Sequence, residues 1–347
     1  MEATKTPINN NGKRTKIESI GKMNLLEQLF KDTGYTNSAT FNYSDGTKGY
    51  LTTQSVMLEG IDFDLVYTPL KHLGYKAVLL AIGNLYASCY SPVGLSVTLA
   101  LSNRFVAENI VEIWTGMLAA AKEHKIRDLS LDLTASINGL SICMSAVGEQ
   151  DIETIKSFPL PDNNSLLCLT GNVGAAYMGL HVLEREKIAF NKIPADKIAE
   201  YQQPDLSKYK YILSQYLSPE INPKSLEQFR EVSLWPAGGL FITKGLAAAV
   251  KELCKRYGFG ARVYLEKIPI AMQTFDFAEE IGVDATTAAL NGGDDYKFLF
   301  VIPLSEHEKF HKEFPNVDII GHFTKSEAGE YLVTPEGTTL ELRAQGW

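Results

Sequence analysis

Nowhere in these 347 residues is there an unbroken apolar run long enough to cross a bilayer. The first 22 residues are polar, rich in Asn, Lys and Thr, and hold no apolar stretch that could act as a signal peptide. The sequence therefore predicts a cytoplasmic protein with no membrane partner and a loose tail over residues 1–22. Positive charge is also scarce, with 33 Lys and Arg against 41 Asp and Glu, a net charge of -8. That balance excludes nucleic acid as a partner, because binding a phosphate backbone needs clustered cations to release counterions. A nucleotide or a small phosphate ester stays open, since a metal ion can meet its charge. Cysteine is sparse too: Cys89, Cys143, Cys168 and Cys254 stand singly, with no C-x-x-C pair. Each lies in an apolar stretch, so four buried, reduced thiols are expected.

What is present is ordinary globular material, 45% hydrophobic and 21% charged, long enough for two domains with a core each. A short helix is predicted at 24–31, a strand at 49–54 and an apolar helix at 72–87. Leu95, Val97, Leu99 and Leu101 alternate as in a strand with one buried face. Ile110, Ile113, Trp114, Met117, Leu118 and Ala121 fall on one face of an amphipathic helix. Strands at 129–133 and 140–147 follow. The charged, then Pro-rich segment 148–164 is the predicted domain boundary, giving an N-terminal domain over 23–150 and a C-terminal one over 160–347. Beyond it come a buried strand at 166–170, a helix through Leu183, and a Tyr-rich helix at 206–217. A helix at 243–257, with Lys244 in its first turn, precedes strands at 261–265, 297–301 and 318–322. A hairpin turning at Pro335-Glu336-Gly337 closes the chain. Strands and helices mix in both halves, so the class is α+β in two domains.

Three local patterns could carry chemistry. His307-Glu308-Lys309-Phe310-His311 has the form H-E-x-x-H, which sets two histidines on one helical face for zinc. Its surroundings are charged, with Ser305 expected as N-cap. Only His322 is near enough in sequence for a third ligand, so it reads as a solvated surface helix. Gly238-Gly239 followed by Thr243-Lys244-Gly245 lacks the Gly-Lys-Ser/Thr order of a phosphate loop. A glycine-rich turn into a helix could still hold an anion through Thr243 and Lys244. Asn291-Gly292-Gly293-Asp294-Asp295-Tyr296 pairs glycines, which permit a tight turn, with carboxylates at the mouth of a strand.

Taken together, longer stretches resemble the thiamine-monophosphate kinase family, in the superfamily of aminoimidazole-ribonucleotide synthetase. They are Leu58-Glu59-Gly60-Ile61-Asp62-Phe63-Asp64, Leu70-Lys71-His72-Leu73-Gly74-Tyr75-Lys76, Gly171-Asn172-Val173-Gly174-Ala175-Ala176-Tyr177-Met178-Gly179, Ala289-Leu290-Asn291-Gly292-Gly293-Asp294-Asp295-Tyr296 and Ala344-Gln345-Gly346-Trp347. The resemblance runs from about residue 49 to 347. It implies an N-terminal sheet domain that pairs with a second copy, a C-terminal α/β domain, and a homodimer with Mg and ATP near the interface. The implied reaction moves the γ-phosphoryl group of ATP onto thiamine monophosphate, giving thiamine diphosphate. That chemistry is largely positioning and charge neutralisation by hard, oxygen-bound metal ions.

Position by position, the carboxylates that the resemblance calls for are mostly replaced. Asp45 is the candidate survivor of an N-terminal Gly-Asp-Asp loop. Ser55 stands for the aspartate of Thr-Thr-Asp, and Asn84 for another aspartate. Asp132 is kept within Ser130-Leu131-Asp132-Leu133, without the glycine pair. Asp-Ile-Ser-Asp-Gly becomes Phe241-Ile242-Thr243-Lys244-Gly245, and a histidine becomes Asp62. Asp132 is the remaining candidate metal ligand. Asp62, Asp294 and Trp347 are the substrate-site candidates, Trp347 as a ring that could stack on a heterocycle. Three readings follow: a degenerate paralogue, a pseudoenzyme with the kinase fold; an active kinase using fewer metal ions, with Lys244 as a fixed charge; and a non-catalytic binding or regulatory subunit that holds a thiamine phosphate or nucleotide without turnover or pairs with an active kinase.

Overall fold

The computed structural model describes residues 22–33, 42–194 and 204–344. After helix α1 (Lys22–Phe30), strands β1 (Asn42–Ser44) and β2 (Lys48–Leu58) lead to the long helix α2 (Leu70–Ala87). Strand β3 (Ser91–Leu101), helix α3 (Ala107–Glu123), β4 (Asp128–Ala135) and β5 (Leu140–Asp151) complete a five-stranded sheet in the order β1-β2-β5-β3-β4. β3 and β4 run parallel across the α3 crossover; the other neighbours are antiparallel. Leu51, Met57, Leu95, Val97, Leu99, Ile142 and Met144 alternate onto one face and are buried. Helices α2 and α3 cover that face. They approach unusually closely: a Cβ on Gly74 would lie 2.0 Å from the Ile113 carbonyl oxygen, and one on Gly116 1.9 Å from that of Lys71. Only glycine permits such backbone contact between helices.

The second half begins with α4 (Ile152–Lys156), β6 (Leu166–Thr170), α5 (Ala175–Asn191), α6 (Lys210–Leu217) and α7 (Ser225–Glu231). It continues through β7 (Gly238–Ile242), α8 (Leu246–Tyr257), β8 (Gly260–Tyr264), α9 (Met272–Ile281), α10 (Ala285–Asn291) and β9 (Lys297–Ile302). It ends with α11 (His307–Glu313), β10 (Val317–Thr324), β11 (Glu330–Val333) and β12 (Thr339–Glu341). The seven strands form a sheet in the order β12-β11-β8-β10-β6-β9-β7. In β9, Phe298, Phe300 and Ile302 face one way and Leu299 and Val301 the other. The first set joins α2, α3 and the first sheet in one continuous core, while the second packs under α8. The period of two in β9 thus lays the molecule out as sheet, helices, sheet, helix.

Several expectations need correction. The glycine pair Gly238-Gly239 lies inside strand β7, not in a turn. Helix α8 begins at Leu246, because Gly245 at φ 89° breaks the chain out of helical geometry. Thr243 and Lys244 therefore sit in a loop, outside any helical first turn. The charged end of β5 runs on to Asp151 instead of opening a linker. Cys143 is exposed, since its position in β5 alternates onto the face that α2 and α3 leave open. Ser305 lies within a 3-10 turn that precedes α11. His307 and His311 stack on one another there, and His322 in β10 stacks on Tyr264 at the end of β8. Among the described residues no three His, Cys, Asp or Glu side chains converge as a metal site.

Candidate functional site

The loop 292–296 is the organising element. Gly293, Asp294 and Tyr296 all have positive φ, of 79°, 59° and 53°, and only the first is free of steric cost. Two bonds to the end of β7 and the loop after it hold the strained turn: Asp294 N–H donates to the Thr243 carbonyl (2.9 Å) and Tyr296 N–H to that of Ile242 (3.0 Å). Between them Asp295 is buried and accepts the Gly174 N–H at the start of α5 (2.7 Å). Burial pushes its pKa well above the usual carboxylate range.

Asp294 is turned towards the first half of the chain. Its Oδ2 accepts from Lys76 Nζ at 2.9 Å, and that lysine, only 4% exposed, projects from the apolar helix α2. The ammonium lies 4.1 Å from the ring centre of Tyr216 and 5.4 Å from that of Tyr296. One carboxylate and two π faces compensate its burial. Next to this pair opens a cavity of about 500 Å³, lined among others by Asp62, Asp64, Tyr67, Tyr177, Lys187 and Thr243.

Opposite Asp294, Asp62 accepts the Leu58 N–H (2.7 Å). It is open to solvent at the cavity mouth, yet enough protein surrounds the carboxyl to push its pKa up. Asp294 adds to the rise, while Lys244 and Lys76 oppose it. Lys187 Nζ contacts Asp64 at 2.5 Å and Glu184 at 3.6 Å, and the Tyr67 hydroxyl donates to Glu184 (2.6 Å). Burial raises the Asp64 pKa, but the Lys187 ammonium and the Val66 amide lower it by more.

Of the sequence candidates, Asp62, Thr243 and Asp294 therefore meet, with Lys244 close enough to act on Asp62. The others do not join them. Asp45 accepts from Lys48 N–H, Thr47 N–H and hydroxyl, and Tyr50 hydroxyl in a self-contained turn, which holds its pKa far below normal. That turn is at the opposite end of β2 from Asp62, about 33 Å away at ~3.3 Å per residue. Ser55 pairs with Met144 on the helix-covered face of the sheet, and its hydroxyl is buried without a partner. Asp132 pairs with Thr98, which pairs with Cys143, so it lies on the open face and is exposed. The two candidates point away from each other. Asn84 Oδ1 accepts the Phe241 N–H (3.0 Å), and the Phe241 ring packs where a Cβ on Gly83 would come within 2.1 Å of it. Trp347 lies outside the described residues.

Lys76 and Lys187 are functional-site residues that the motif reading passed over. A lysine within the apolar run of α2 was the available signal for Lys76, since a charge on a buried helical face needs a partner.

Residues 35–150 match the family model of the AIR synthase related protein, N-terminal domain. The thiamine-monophosphate kinase of Aquifex aeolicus is 22% identical over 300 residues, covering 85% of this chain and 90% of the relative. The chain is homologous to the thiamine-monophosphate kinases of the AIR synthase-like superfamily. The Bacillus subtilis kinase is 21% identical over 296 residues, 84% of this chain and 85% of the relative. The solved structure described as AaThiL complexed with AMPPCP and TMP matches with a TM-score of 0.75 at 20% identity, over 94% of this chain and 97% of that one. The hydrogenase maturation protein HypE in complex with ATP matches at 0.60 and 14% identity, over 97% and 96%. At these identities the structural likenesses establish the kinase-like fold, and the described residues hold no helix long and apolar enough to cross a membrane.

Proposed function

We propose that this chain is a thiamine-monophosphate kinase-like protein whose magnesium and ATP site has been lost, leaving catalysis absent or very weak. The observation that carries this reading is Phe241. The family resemblance calls for a metal-binding aspartate there, and the side chain is instead buried in the core that joins the two sheets. Asn84, another such position, has its carboxamide oxygen committed to the Phe241 backbone. Lys244, a third, reverses the charge and would repel a cation. The residues present do not fit magnesium-bound ATP: a magnesium ion needs several oxygens in a near-octahedral shell, and Asp45, Ser55 and Asp132 are scattered over both faces and the far end of a sheet.

The cavity between Asp62 and Asp294 supports a ligand-binding role that has outlived the chemistry. The face of the five-stranded sheet that carries Val56, Ser96, Cys143 and Ser145 supports a homodimer paired through these sheets, as the resemblance implies. Titration calorimetry with a non-hydrolysable ATP analogue, with and without magnesium, tests the proposal beside a direct assay for thiamine diphosphate. Neither binding nor product is expected. Magnesium-dependent binding with turnover would overturn the reading and favour an active kinase using Lys244 as a fixed charge.

A further inference from the structure

The cavity beside Asp294 is lined by four carboxylates, Asp62, Asp64, Glu184 and Asp294. Three ammonium groups answer them: Lys187 on the wall, Lys76 behind Asp294, and Lys244, whose charge reaches Asp62. Arg104, which also acts on Asp64, is itself ion-paired with Glu59, so among the described residues one negative charge is left over. The shortfall is at Asp62, which accepts a single backbone N–H and, among the described residues, forms no ion pair within 4 Å. The walls also carry Tyr67, Tyr177 and Tyr216.

The protein's own side chains show what such walls hold. Lys76 is gripped by the Asp294 carboxylate and the Tyr216 ring, and Lys187 by Asp64, with its ammonium 5.8 Å from the Tyr67 ring centre. Carboxylate plus aromatic face is the usual surrounding of a bound organic cation. A volume of about 500 Å³ suits a small molecule. A phosphate ester would instead bring two further negative charges into a space already one short of neutral, with no cluster of metal ligands among the described residues to offset them.

We propose that this cavity binds a small monovalent organic cation that bears no phosphate, seated between Asp62 and Asp294 against the tyrosine rings. The inference rests on reading the cavity as a ligand site, as above. It changes the ligand from a phosphate ester to a bare cation, and Asp62, which stands where the family resemblance places a histidine, is the residue that makes the change.

The test is titration calorimetry of the full chain near neutral pH, without magnesium, with three probes of matched size: benzyltrimethylammonium, benzyl alcohol and benzyl phosphate. The cation is expected to bind more tightly than the alcohol, and the phosphate not to bind. Asp62→Asn keeps an oxygen for the Leu58 N–H, so the fold should survive, which circular dichroism checks. It should weaken cation binding about fivefold, as loss of one solvent-accessible charge pair predicts, and leave benzyl alcohol unchanged. No cation binding, cation binding indifferent to Asp62→Asn, or tighter binding of benzyl phosphate would each overturn the proposal. The readout is separate from ATP binding and thiamine diphosphate formation, so either proposal can fail alone.

Discussion

Asp295 shows how a single carboxyl in the turn is coupled to pH. It is 2% exposed, one oxygen accepts from Gly174, and the other has no hydrogen-bond partner. Burial raises its pKa well above the unfolded value, and Asp294 adds to the rise while Lys297 opposes it. A folded-state pKa above the unfolded one means the native protein binds the proton more tightly. Stability from this group is therefore complete below about pH 4 and is lost as pH rises through the folded value. Asp295→Asn keeps the acceptor for Gly174 but has no proton to lose. Relative to the unsubstituted chain, its urea midpoint should gain between pH 5 and pH 8. Parallel midpoints across that range would show that Asp295 does not titrate with folding. At this scale the sequence marked Asp294 and Asp295 as unusual through the glycines beside them. It gave no means of telling which acid turns outward to Lys76 and which is buried under α5, because the alternation of φ signs along the turn decides that.

At the scale of elements, α2 and β7 are joined through Asn84 and Phe241, where the proposed reading has a metal site lost. The Phe241 ring sits over Gly83, Asn84 accepts the Phe241 N–H, and the same ring meets Tyr296 edge-on at 5.1 Å and lies 5.3 Å from Phe298. Reintroducing an acid should thus damage the fold before it restores any site. Phe241→Asp removes a buried phenyl group and leaves a carboxylate among aromatic rings, so a loss of at least ~3 kcal/mol is expected. Denaturant unfolding measures it, and magnesium should not recover the loss. Recovery by millimolar magnesium would mean that the metal site survives intact around that position. The alternating residues of β3 were legible because burial of one face imposes a period of two, whereas β9, buried on both faces, shows only an apolar run. The strand β7 was not, because its glycines read as a turn. Its glycine carries meaning only in three dimensions: a Cβ on Gly239 would lie 2.5 Å from the Ala87 carbonyl oxygen at the end of α2.

For the whole molecule, the open face of the five-stranded sheet is the consequential surface. Gln54, Ser145 and Ser96 form one row across β2, β5 and β3, and Val56, Cys143 and Thr98 the next. On these three strands neither row carries a charged side chain, although the chain as a whole has a net charge of -8; the second row meets a charge at Asp132 on the edge strand β4. Such small, uncharged rows suit sheet-to-sheet pairing of two copies. Light scattering after gel filtration should return twice the 38.4 kDa chain mass. Ser145→Arg, which places a charge in the middle of the face, should return the single-chain mass with the thermal midpoint of the monomer fold retained. A wild-type chain running as a monomer would remove the sheet face from consideration as an interface.

What the sequence by itself determined was the class, the alternation of the strands and the apolar helix α2. These are local properties, written in composition and in periods of 2 and 3.6 residues. Only the tertiary structure decided which of the surviving polar residues meet. It sends Ser55 and Asp132 to opposite faces of one sheet and leaves Asp45 at the far end of β2. It gathers Asp62, Thr243 and Asp294 around a lysine from α2 that no motif had singled out. The physical reason is that a cavity is made by segments distant in the chain, and whether a charge there is matched depends on neighbours that sequence order does not record.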